Sequence, residues 1–266
     1  MSYLYGGKIL WIDLTTGSVT TRPTADYAGD YIGGRGISAR IMYENVGPAT
    51  DPLGPENVIA FGTGPLSGTL FPGCSRTDVM SKSPVTNLLG NANIGGDWAA
   101  ELKYAGYDHV VLTGRAEHPV YVSIRNDSVT LRDARALWRK TTYETHSGIK
   151  EELDDPEVKI LCIGPAGENQ VAYATVHSNV GNAAARTGMG AVLGSKNVKA
   201  LAVRGTKGIA VADPKAFFAA CMEAHDTVRS AAYYQEVSTI GVTNAETAYV
   251  RSGNIKVVSA QAPRSG

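Results

Sequence analysis

Asn93-Ile94-Gly95-Gly96, leading into the helix-like Asp97 to Lys103 and the strand-like Asp108 to Leu112, decides the fold because the chain writes it twice. Roughly ninety residues on, Ala184-Ala185-Arg186-Thr187-Gly188 leads into Gly190 to Ser195 and the strand-like Val198 to Val203. Ala100 matches Ala191, Leu102 matches Leu193, and Gly114 matches Gly205. Upstream, Val58 to Gly68 is echoed by Val158 to Gly167, and the hairpin-like Ile9 to Thr20 by Val122 to Leu131. The expectation is a duplicated domain over residues 1–210, with repeats at about 5–115 and 117–206. Two facing glycine-rich turns in such a domain imply one ligand with two phosphate-bearing ends.

Working outward, the first copy reads as a strand at Lys8 to Leu14, a turn, and a return at Ser18 to Arg22. Ala25 to Tyr31 and Ile37 to Val46 read as helices split by Gly33-Gly34-Arg35-Gly36. Val58 to Thr63 and Thr77 to Lys82 read as strands around a loop from Gly64 to Gly73. In the second copy Val120 to Arg125 and Val129 to Arg132 rebuild the hairpin, and Thr141 to Leu153 is a helix stopped by Asp154-Asp155-Pro156. Val158 to Ile163 and Val171 to Val176 complete the strands. Strands outnumber crossover helices, so the class is α+β with two mixed sheets rather than a doubly wound parallel sheet. Near residue 210 the pattern changes. Asp213-Pro214 is an N-cap with proline at the first helical position, and Phe217, Phe218, Cys221, Met222 and Val228 repeat on one helical face. Residues 211–266 are therefore expected to begin a helical domain that is cut short, with further structure starting from Thr239.

Composition narrows the function classes. The 266 residues carry 25 Lys plus Arg against 25 Asp plus Glu, so no net field draws nucleic acid or an anionic membrane. Anion recognition must then be local. No apolar run approaches the ~18 residues of a membrane span, and no basic leader precedes an apolar stretch. The expected location is the cytoplasm. Three scattered cysteines argue against a disulfide framework, and without a C-x-x-C the chain alone cannot hold a four-cysteine zinc or iron–sulfur centre.

The chemistry is carried by the turns. Gly95-Gly96 opens a helix, where backbone N–H groups converge on an anion and the helix dipole adds partial positive charge; a plain turn would use the same residues. Arg76 precedes a strand, where its planar fork can grip a phosphate or ring carbonyl. Asn93 offers an amide, or a backbone carbonyl to a cation. Gly34-Arg35-Gly36-Ile37-Ser38-Ala39 fits the dinucleotide spacing but follows no clear strand, which argues against a Rossmann site. Cys162 reads as an inert core thiol, whereas Cys74, two residues from Arg76, has a guanidinium within reach. The five histidines show no H-E-x-x-H spacing and read as structural or exposed, and no complete acid, base and nucleophile set is present.

Tyr5-Gly6-Gly7, Gly33-x-Arg35-Gly36, Asp51-Pro52-Leu53-x-Pro55-Glu56-Asn57, Gly64-Pro65-Leu66-x-Gly68-Thr69, Lys82-Ser83-Pro84, Ala100 to Asp108, Ile163 to Asn169 and Gly190 to Ala200 stand in order along the chain. Together they resemble the N-terminal domain of the tungsten-containing aldehyde:ferredoxin oxidoreductase family over roughly residues 5–210. The resemblance implies a base of two sheets on which a bis-tungstopterin, or its molybdopterin counterpart, lies. It implies that Arg76, Asn93, Gly95, Gly96, Ala183 and Arg186 contact the cofactor, and that the Asn93 and Ala183 carbonyls hold a magnesium ion bridging the pterin phosphates. Asn182 and Ala185 depart from the arginine and glycine of the aldehyde enzymes, which leaves the substrate subclass open.

The resemblance further implies aldehyde oxidation to carboxylate with ferredoxin as acceptor, and a [4Fe–4S] cluster and catalytic residues in C-terminal domains or a complementary subunit. No catalytic residue is expected in this chain, which alone should be inactive; a homo-oligomer is compatible with it. Two rivals stand beside this reading. One keeps the fold in an acyl-CoA reductase or a hydroxy-acid or sugar-phosphate oxidoreductase, with Gly73-Cys74-Ser75-Arg76-Thr77 closer to the acyl-CoA type. The other is a non-catalytic cofactor-binding or assembly subunit.

Overall fold

The computed structural model describes residues 3–240 apart from Val180 and Tyr233. The expected continuation from residue 241 to 266 lies outside the described residues. The chain divides into two compact units, the first ending at Ala212 and the second starting at Asp213.

Within the first unit each half builds a six-stranded mixed sheet. The first half contributes β1 (Lys8–Asp13), β2 (Ser18–Pro23), β3 (Ile59–Thr63), β4 (Thr77–Lys82), β5 (Leu89–Ile94) and β6 (Tyr107–Thr113). The second contributes β7 (Val120–Arg125), β8 (Ser128–Asp133), β9 (Lys159–Cys162), β10 (Val176–Ser178), β11 (Asn182–Ala184) and β12 (Val198–Arg204). Sheet order is β2-β1-β6-β3-β4-β5 in the first half, and β8-β7-β12-β9-β10-β11, read from the opposite edge, in the second. In both halves the hairpin strand pairs in parallel with the last strand, β1 with β6 and β7 with β12, and the other pairings are antiparallel. Identical topology in both halves is what the repeated motifs require.

Helices α1 (Ala25–Ala28), α2 (Gly34–Asn45), α3 (Trp98–Ala105), α4 (Thr142–Leu153), α5 (Pro165–Glu168) and α6 (Met189–Ser195) join these strands. Strand alternation sorts the apolar side chains into layers. Leu10 and Ile12 of β1 enter a core shared by both halves, whereas Ile9 and Trp11 pack beneath α2 with Ile37 and Ile41. On the other side Ile149 of α4 packs on Tyr121, Ile160, Cys162 and Ala202. Between the sheets α3 touches β3, β6, β9 and β12, and α6 touches β3, β4 and β12. Each half thus covers the other's sheet. The α4 start is secured by a reciprocal capping box between Thr141 and Glu144, as the T-x-x-E spacing dictates.

Three local expectations are corrected. Gly34-Arg35-Gly36 does not split two helices but forms the first turn of α2, with Gly33 at its N-cap. Val171 to Ala174 bends and only Val176–Ser178 pairs as a strand, because His177 and Ser178 must meet Cys162 and Leu161 across β9. Asn93 and Ile94 belong to β5, so the turn proper begins at Gly95.

In the second unit Asp213 caps α7 (Pro214–Ser230), its carboxylate accepting from the Ala216 amide at 2.9 Å. Helix α8 (Tyr234–Ile240) follows. Phe218, Met222 and Val228 of α7 are exposed.

Candidate functional site

Strands β5 and β11 are the edges of their respective sheets, and they lie against each other. A Cβ placed on Gly95 would stand 3.3 Å from Asn182 Oδ1, and one on Gly90 would stand 2.9 Å from Thr187 Cβ. The end of β5 therefore adjoins the start of β11, and the start of β5 adjoins the turn after β11. The two edges run antiparallel. The turn from Ala185 to Gly188 is tied across by Ser83 Oγ, which donates to the Thr187 carbonyl at 2.9 Å. Edge strands carry backbone donors and acceptors that their own sheet does not use. Two such edges side by side offer carbonyl oxygens from both halves to one cation, and amides to one anion.

Several of the sequence-selected residues meet here. Asn93 lies on the outward face of β5, opposite Asp78 in β4, and its Oδ1 accepts from Arg76 Nη1 at 3.1 Å. Both side chains are exposed. Gly95 and Gly96 follow directly, and Ala183 sits at the centre of β11, paired with His177. Gly96 adopts φ +103°, which favours glycine, and a Cβ there would lie 2.9 Å from Ser178 Oγ. Its first role is thus to admit the β10–β11 hairpin against the α3 start. Arg186 is exposed on the second turn and has no bond to Arg76 or Asn93 among the described residues.

The loop before Arg76 closes over this end of β5. Ser75 Oγ donates to the Gly96 carbonyl at 2.9 Å, and Tyr104 Oη donates to the Gly68 carbonyl at 2.6 Å. Beneath it opens a cavity of about 470 Å³ that both Arg76 and Gly95 line, together with Phe71, Cys74 and Tyr104. The Cys74 thiol faces the Leu66 and Phe71 carbonyls, at 2.9 and 3.0 Å, rather than the Arg76 guanidinium. Burial pushes the Cys162 thiol up to about 12, which keeps it an inert core group as expected.

Sequence reasoning passed over Asn91 of β5 and Asp78 of β4, which join Arg35 of α2 to this surface. Asn91 Nδ2 donates to Asp78 Oδ1, and Asn91 Oδ1 accepts from Arg35 Nη2. Burial raises the Asp78 carboxyl above the ordinary carboxylate range, against the opposing pull of Asn91, Arg35 and Ser38. The signal was the Asn91-x-Asn93 alternation, which becomes visible once this segment is taken as a strand. Among the described residues no group of three or more His, Cys, Asp or Glu side chains can hold a metal, and no helix is long and apolar enough to cross a membrane.

The chain as a whole is similar to known proteins. Residues 9–205 match the family described as aldehyde ferredoxin oxidoreductase, N-terminal domain. The chain is 45% identical over 214 residues to a tungsten-containing aldehyde ferredoxin oxidoreductase of Pyrococcus abyssi, covering 80% of this chain and 35% of that protein. It is 36% identical over 220 residues to an aliphatic sulfonate oxidoreductase, WOR-like subunit, of Pyrococcus furiosus, covering 77% of this chain and 35% of the relative. Among solved structures, the active site complex BamBC of benzoyl coenzyme A reductase, in complex with 1,5-dienoyl-CoA, superposes with a TM-score of 0.84 at 42% identity, over 86% of this chain and 35% of that one. The chain thus spans about a third of the length of these relatives.

Proposed function

The chain belongs to the aldehyde ferredoxin oxidoreductase family through its N-terminal domain, and we propose that it is the cofactor-holding floor of a tungstopterin or molybdopterin oxidoreductase. Residues 1–210 form that floor, and 211–266 begin the next, helical domain. The observation that carries this reading is the meeting of β5 and β11, which joins the two halves at one seam.

The residues fit such a group. Arg76, clipped to Asn93, presents an exposed guanidinium for a phosphate or a ring carbonyl. Gly95 and Gly96 keep the backbone open at the α3 start, and Arg186 supplies a second cation from the matching turn. Asn93 and Ala183, on the two edges, would offer carbonyl oxygens to a magnesium ion bound with the cofactor. When bound, the metal–pterin group supplies two-electron redox chemistry, converting an aldehyde and water into a carboxylate with release of two electrons and three protons. The chain's own part is to bind and orient that group.

For the complete protein we assign aldehyde oxidation, with ferredoxin as acceptor and a [4Fe–4S] cluster outside this domain. The cytoplasm is the assigned location. The likeness to the benzoyl coenzyme A reductase complex supports acyl-CoA reduction as the second reading.

The test is substitution in the full-length protein. Arg76→Ala and Asn93→Ala are each expected to lower metal content, by elemental analysis, and pterin content, by fluorescence after oxidation, while the thermal transition stays in place. Full cofactor in both variants would refute the assignment.

A further inference from the structure

Arg35 occupies the first turn of α2, a place where a cation is electrostatically disfavoured because the helix N-terminus already carries partial positive charge. No acidic residue lies in that turn. What holds Arg35 is a chain of side-chain bonds from behind. Its Nη2 donates to Asn91 Oδ1, the Asn91 amide donates to Asp78 Oδ1, and its Nε stands 4.0 Å from the same carboxylate oxygen. The Asp78 side chain is only 5% exposed, whereas that of Arg35 is 72% exposed. The guanidinium is anchored on its inner side and open on its outer side, with Nη1 unpartnered among the described residues.

The neighbouring arginine repeats this device. Two residues along the same face of β5, Asn93 Oδ1 accepts from Arg76 Nη1 at 3.1 Å. Alternate residues of a strand share a face about 6.6 Å apart. One strand therefore carries two guanidinium groups, each clipped to an asparagine and each solvent-facing, beside the N-terminus of a 12-residue helix. The Asp78 carboxylate behind them is buried. The surface attracts anions, and at two points.

We propose that Arg35 is a second anion-contacting residue of the site at Arg76, positioned by Asn91 and Asp78, so that the face of β5 grips one phosphate-bearing ligand through two anionic groups. The inference rests on the reading that Arg76 and Asn93 face the cofactor. A guanidinium that keeps one edge for asparagine still has donors for a phosphate oxygen pair. Asp78 and Asn91 are positioning residues, since they fix the fork without touching the ligand. The phosphate belongs either to the cofactor or to a separate phosphoester.

The test compares Arg35→Gln, Arg35→Lys, Arg76→Gln and Asp78→Asn in the full-length protein. Arg35→Gln should lower metal and pterin content several-fold and weaken binding of inorganic triphosphate by roughly tenfold, with Arg35→Lys recovering part of each. Asp78→Asn, which keeps the acceptor for Asn91 but removes the negative charge behind the fork, should strengthen triphosphate binding; a brace for the fold alone would leave it unchanged or weaken it. Loss of triphosphate binding with full cofactor content would identify the phosphate as that of a separate phosphoester. If Arg35→Gln changes neither readout while Arg76→Gln depletes the cofactor, the role of Arg35 is overturned and the site at Arg76 stands. If Arg76→Gln also leaves the cofactor in place, the reading of the site falls with it.

Discussion

Trp98 Nε1 donates a 3.1 Å hydrogen bond to the Leu201 carbonyl, so the helix that follows the first half's glycine turn is bonded to β12, a central strand of the second half's sheet. The indole is fully buried and tilts against Phe61 at a ring-centroid distance of 6.0 Å. The two halves share one core, which makes them one folding unit. Trp98→Ala should cost about 3–5 kcal/mol, as for other buried aromatic truncations. Trp98→Phe, which keeps most of the volume and loses the hydrogen bond, should cost about 1–2 kcal/mol. Denaturant unfolding followed by near- and far-ultraviolet circular dichroism should give coincident transitions in both variants; separated transitions would mean the halves unfold independently.

The glycine pair separates packing from ligand approach. Gly96→Ala places a side chain at φ +103° and 2.9 Å from Ser178 Oγ, and should destabilise by about 1–3 kcal/mol. Gly95→Ala meets only the outer end of the exposed Asn182 side chain, at 3.3 Å, and should leave stability nearly unchanged. Thermal melting of the two variants checks this, and equal losses would contradict it.

Lys103 and Asp108 form a salt bridge of 2.7 Å with both side chains fully buried. Asp108 also accepts from the Gly6 and Gly7 amides and from Thr24 Oγ1, which pins the N-terminal segment to β6. Lys103→Met leaves that carboxylate buried without its cation and should cost about 3–5 kcal/mol. Adding Asp108→Asn should cost less than the sum of the single changes, a coupling that a double-mutant cycle reads directly.

Burial holds the His109 imidazole at about 4, below its ordinary value of 6.5, with Nε2 3.1 Å from the Gly34 carbonyl. The folded protein thus keeps this ring neutral where the unfolded chain protonates it. Stability should fall as pH drops from about 6.5 towards 4, by up to about 3 kcal/mol from this group. The raised Asp78 carboxyl acts in the opposite sense at the acid end, because the folded state takes up that proton first. His109→Gln should flatten the stability profile between pH 6.5 and 4; an unchanged slope, measured by denaturant titration at each pH, would exclude His109 as its source.

Asn93, Gly95 and Arg76 stood out in the sequence because a glycine-led helix start, an amide and a guanidinium fork suit an anionic ligand, and the structure brings Arg76 to Asn93 as side-chain partners. Arg35 was set aside because its glycines matched a dinucleotide spacing without the strand that such a site needs. Asp78 looked like one polar residue among many on a strand. Nothing local to either marks them as neighbours, since they meet only in the fold, directly at 4.0 Å and through Asn91.

The amino-acid pattern alone determined the duplication, the α+β class and most element positions, because apolar periodicity and turn residues act over a few neighbours and recur in both halves. Tertiary structure decided what faces what. That β5 and β11 become adjacent edges, that α3 and α6 sit between the sheets, and that Arg35 and Arg76 share one face depend on contacts between residues far apart in the chain. Those contacts are set by how two twisted sheets bury a common core, a property no single segment possesses.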